Sequence, residues 1–153
     1  MNTRTLASNT LLLAAYLLGG CGAASSLDGS VGDSVALDFD RVRIRSQGST
    51  LLIEYLRDIA GGSDKVCKMT VVTDDLGVAA DTYLEDDTFL ERVSLSRVVA
   101  SADQFPGVSG GSLHFVDFGL DPAGAISGEF HALFDNGRTL TGAFSGELEV
   151  ATE

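Results

Sequence analysis

Basic residues are scarce in this chain. Lysine and arginine number 10 against 22 aspartates and glutamates, a net charge of −12 over 153 residues. So acidic a surface repels phosphate backbones and anionic membranes, which excludes DNA or RNA as the natural partner. Its plain reading is solubility; its sharper reading is a cation site or a basic partner. Proline is almost missing, with 2 residues against 18 glycines, a balance that suits many tight turns. The only histidines, His114 and His131, stand in neither an H-x-x-x-H nor an H-E-x-x-H pattern, so no zinc motif is present. There is also no G-x-S-x-G elbow, no phosphate-binding loop and no cofactor motif. The longest early apolar run, Leu11 to Leu18, has eight residues, far short of the ~20 that span a bilayer.

What is present begins at the N-terminus. Arg4 precedes that apolar run, and the small residues Gly19 and Gly20 lead to Cys21, the order of an export signal. Leu18-Gly19-Gly20-Cys21 resembles the lipobox of bacterial lipoprotein signal peptides. The resemblance covers only this segment. It implies cleavage before Cys21, lipidation of the Cys21 thiol and acylation of the new amino group. Several acyl chains anchor firmly, since each buried methylene contributes about 0.8 kcal/mol. Gly22, where an aspartate would imply retention at the inner membrane, implies the outer membrane. Residues 1–20 are thus expected to be a signal peptide, and 21–33, rich in Gly, Ala and Ser, a lipidated flexible tether.

Residues 34–153 are expected to form a single all-β domain, an antiparallel sandwich or small up-and-down barrel of about eight strands. The hydrophobic fraction of 44% can build one core, and apolar residues recur with period two. Val35, Leu37 and Phe39, then Val42 and Ile44 after a phase flip at Asp40-Arg41, read as one long bulged strand. Strands follow at Leu51–Tyr55, Lys65–Thr73 and Val78–Leu84. Thr88 to Ala100 offers a capping box at Thr88 and Glu91 but alternates in "RVSLSRV", and is read as a strand. After a long loop from Ser101 to Gly111 come strands in Ser112–Leu120, Ala125–Phe134 and Thr139–Val150.

The last two strands carry glycine on the phase they must bury. A three-residue loop, Asp135-Asn136-Gly137, sets Phe130 opposite Gly142 and Gly128 opposite Phe144. Each ring then shields its neighbour's bare backbone. Extending the pattern through the "DPAG" turn sets Phe118 beside Gly128 and Val116 beside Phe130. Phe118, Phe130 and Phe144 form the candidate ligand or packing face.

Other candidates each have a plain and a sharp reading. Arg41, Arg43 and Arg45 alternate on one face; the plain reading pairs them with acids, the sharp one with phosphate or lipid headgroups. Asp74, Asp75, Glu85, Asp86 and Asp87 sit in two loops without the spacing of a calcium motif. Cys67 alternates with Met69 and Val71, which places a small thiol in the core. His131 falls on an outward phase and His114 shares the phase of Val116 and Phe118. The expected function is a non-enzymatic binding or structural module on a membrane, reached through lipid on Cys21, with an envelope protein or small molecule as partner. An apolar-ligand carrier is the alternative, and an envelope hydrolase built on scattered carboxylates the rival class.

Overall fold

Alternating residues pair here, among the described residues, into nine strands around one apolar interior. The structure is a computed structural model and describes residues 24–74, 81–101 and 103–150. The lipobox, Cys21 included, lies outside them. So do Asp75 and the first part of the strand expected over 78–84.

In chain order the elements are β1 (Ser26–Asp28), a 3-10 turn (Ser30–Asp33), β2 (Arg41–Gln47), β3 (Thr50–Ile59), β4 (Gly62–Val72), β5 (Thr82–Glu85), α1 (Asp86–Arg92), β6 (Val93–Val98), β7 (Val108–Phe118), β8 (Ala125–Phe134) and β9 (Thr139–Val150). Eight strands follow the order β5-β7-β8-β9-β2-β3-β4-β6 in one curled sheet, and β1 adds to β9. All described pairs are antiparallel except β2 with β9, where Ile44 aligns with Leu148. The sheet is therefore mixed, not wholly antiparallel, and β5 and β6 break the up-and-down order. Its two edges, β5 and β6, are joined by α1. Seven helical residues rise roughly 10 Å, and Phe89 on α1 is completely buried. A ring thus fills the seam that hydrogen bonds leave open.

The hairpin reading of the last strands is observed. Phe130 pairs with Gly142, Gly128 with Phe144 and Ile126 with Gly146. Gly137 takes φ 76° in the three-residue loop and donates to the Phe134 carbonyl at 2.8 Å. The β7 register differs from expectation. Phe115, not Phe118, faces Gly128, and Leu113 faces Phe130. The pairing leaves the turn two residues away from that expectation, with Phe118 opposite Ile126, and a bulge between Phe115 and Asp117 then shifts it by one more. The bulge turns Val116 outward, 50% exposed, and restores Phe118 to the interior. Pro122 does stand second in its turn, closed by Gly124 N to Asp121 O at 2.7 Å.

Three further expectations are corrected. Residues 35–39 are not strand; the early half of β9 is already paired with β1, so this apolar segment packs as a strap, with Val35 buried and Leu37 and Phe39 against the core. Arg97 on β6 ties the strap down, donating to the carbonyls of Ala36 at 2.9 Å and Val66 at 3.0 Å. Residues 26–33, read as tether, are docked: β1 pairs with β9 and Val31 is fully buried. The segment after Thr88 is strand only from Val93, because residues 86–92 form α1.

Candidate functional site

The expected phenylalanine face fills the interior. Phe115 packs edge-on against Phe118 at 4.9 Å and against Phe144 at 5.9 Å between ring centroids. Tyr55 reaches in from β3, meets Phe130 at 6.4 Å and Phe39 at 5.0 Å, and donates its hydroxyl to the Ala143 carbonyl at 2.8 Å. Burial pushes its phenol far up from the ordinary value. Cys67 is buried as expected, and burial pushes its thiol up to about 12.

The arginine ladder meets acids. Arg41 pairs with Asp58 at 3.0 Å. Arg43 and Arg45 converge on Glu54 at 2.8 and 3.0 Å, and Lys65 reaches its other oxygen at 3.0 Å. Glu54 is fully buried although it lies on the outer side of the sheet. The registers set Arg41 beside Leu56 and Arg45 beside Leu52, both leucines also buried; the apolar stems cover them while the charged heads meet the carboxylate. Burial opposes ionisation of Glu54, but hydrogen bonds from Lys65 and Arg43 and the charges of Arg43 and Arg45 outweigh it and hold its carboxyl below the ordinary range. Of the acids expected in loops, Glu85 ends β5 and Asp86 and Asp87 open α1, and among the described residues no three His, Cys, Asp or Glu side chains are grouped to hold a metal ion.

A groove lies elsewhere, on the outer face of the other half of the sheet. The registers align two rows across five strands. One row runs Tyr83, His114, Glu129, Ala143, Ser26; the next runs Glu85, Ser112, His131, Thr141, Asp28. Tyr83, Glu85, His114, Glu129 and His131 stand on β5, β7 and β8, and small Ala143, Thr141 and Ser26 follow on β9 and β1. The resulting open depression, about 380 Å³, is lined by nine of these ten residues together with Phe130 and Gly142. A second hollow of about 460 Å³ adjoins it, shares Glu85, Ser112 and His131, and adds Asp86, Gly110, Gly111 and Leu133.

The groove has a defined internal order. The Tyr83 ring lies flat on His114, with centroids 3.9 Å apart and planes 5° apart. His114 Nε2 lies 2.9 Å from Asp81, and its Nδ1 lies 3.7 Å from Glu129. Ser112 and His131 are cross-strand neighbours, yet no hydrogen bond joins them among the described residues. One depression thus gathers an aromatic ring, carboxylates and hydroxyls. The sequence reading missed it. Tyr83 lies on a strand with little alternation, and the wrong β7 register turned His114 inward. No family model, curated protein or solved structure matches the chain.

Proposed function

We propose that this chain is a bacterial lipoprotein, acylated on Cys21 and held at the outer membrane, whose β domain is a non-enzymatic binding module. The observation that supports binding is the outer groove, where Tyr83, Glu85, His114, Glu129 and His131 converge around small residues. An internal carrier role has less support, because Phe118, Phe130 and Phe144 pack into the interior they would have to line.

The membrane part is tested by mass spectrometry of the membrane fraction. The expected product begins at Cys21 and carries acyl chains, and Cys21→Ser leaves the membrane. A mature N-terminus elsewhere, or a membrane-bound acyl-free Cys21→Ser product, overturns it. Turnover of an envelope polymer that is abolished by Glu85→Gln or Glu129→Gln replaces binding with hydrolysis.

A further inference from the structure

We infer that the outer face of β2, β3 and β4 docks a second copy of this chain, receiving the base-free acidic face of β1, β5, β7, β8 and β9, so that copies join head to tail. The contact depends neither on lipid at Cys21 nor on a ligand in the groove.

Charge is divided between the two halves of the sheet. β2, β3 and β4 carry six bases, Arg41, Arg43, Arg45, Arg57, Lys65 and Lys68, against three acids. β1, β5, β7, β8 and β9 carry six acids, Asp28, Glu85, Asp117, Glu129, Glu147 and Glu149, and neither lysine nor arginine. All six of these acids are exposed. Tyr55 on β3 meets Phe130 on β8 across the interior, with centroids 6.4 Å apart, so the two outer faces point away from each other.

The basic face is fixed in place as well as charged. Arg43, Arg45 and Lys65 all close on Glu54, and the registers set Lys68 beside Glu54 in the same row, between it and Ser96. Lys68 makes no ion pair among the described residues. One carboxylate therefore serves four cations and leaves the cluster positive. Glu54 is fully buried while the three paired heads stay about a third exposed. Those heads are held in position before any partner arrives, which lowers the ordering cost of association. Carboxylates are anions that such a face takes, and the base-free half of the same chain presents six. A net charge of −12 opposes approach, but at about 0.15 M salt charges beyond ~8 Å are screened while pairs in contact still attract. Opposite faces make the contact heterologous, so copies form an open chain that lengthens with concentration rather than a closed dimer.

The test is sedimentation velocity of the purified full chain over a range of concentrations, joined to carbodiimide coupling, which links an amine to a carboxylate in direct contact. Lys65 and Lys68 are the only lysines, so each lysine cross-link reports on this face. In an equal mixture of isotope-labelled and unlabelled chains, cross-links between the two kinds are expected from Lys65 or Lys68 to acids of β1, β5, β7, β8 or β9. The average mass is expected to rise with concentration at about 0.15 M salt and to return to that of the monomer at about 1 M. Lys68→Glu, which leaves the Glu54 pairs intact, should weaken association about fivefold. A mass that stays monomeric at every concentration, association that survives the high salt, cross-links only within one chain or only to acids of β2, β3 and β4, or indifference to Lys68→Glu overturns the inference. So does Lys68-dependent binding of a still monomeric chain to phosphatidylglycerol vesicles, which would give the face to lipid headgroups instead.

Discussion

Phe130 and Gly142 face each other on neighbouring strands, and the Phe130 ring occupies the space a Cβ on residue 142 would need. Gly128 stands in the same relation to Phe144, whose Cζ lies 2.7 Å from the position of an added Cβ. Ring and glycine together make one unit of packing. Gly142→Val and Gly128→Val should each cost ~1–3 kcal/mol by overpacking, read as a fall in the urea midpoint. Parent-like melting of both would contradict the unit.

Adjacent glycines on β7 should behave oppositely. A Cβ on Gly111 would lie 2.5 Å from Phe89 Cε1 on α1, whereas one on Gly110 meets nothing within 4 Å. Gly111→Ala should therefore lose about 1–3 kcal/mol, and Gly110→Ala should stay within about 0.5 kcal/mol of the parent. Thermal melts of the two variants decide it.

Glu54 is the common counter-ion of three cations on the outer side of β2–β4. Glu54→Gln should cost about 1–3 kcal/mol at neutral pH, less than for a wholly buried cluster because the cations remain about a third exposed. The folded carboxyl is held below its ordinary value of 4.5. The stabilisation is thus present above that value and is lost as pH falls through the lower, folded one. The difference in melting temperature between parent and Glu54→Gln should narrow on acidification from pH 7 to pH 3. A gap that stays constant would contradict the linkage.

Cys67 should be inert while the domain is folded, since burial raises its thiol to about 12. Iodoacetamide at pH 8 should modify it only after urea unfolding. Rapid labelling of the native protein would place Cys67 elsewhere.

The β8–β9 hairpin was legible because two independent signals agreed: a three-residue loop ending in glycine, and large residues opposite small ones at each step. On β7 no such agreement existed. The Val116 bulge consumes a residue without changing the apolar composition, so Phe115 and Phe118 both face inward despite opposite formal phases. Val35, Leu37 and Phe39 alternate like a strand, but strand state depends on a free neighbour, and β1 holds the early part of β9. Seven residues of α1 bury only Phe89, too little for a helical period to emerge. The groove was the least legible, because it exists only once five strands are in register.

The docking of β1 has a consequence for distance. Ser26 lines the groove and Cys21 precedes it by five residues. Five residues reach at most about 18 Å. With Cys21 acylated as proposed, the groove is leashed within that radius of the lipid headgroups. A free globular protein in the surrounding space would be too bulky to enter so narrow a gap from the membrane side, whereas a strand of polymer or a tail lying along the membrane surface would pass. The leash would then act as a filter on who arrives, before any chemistry in the groove is consulted.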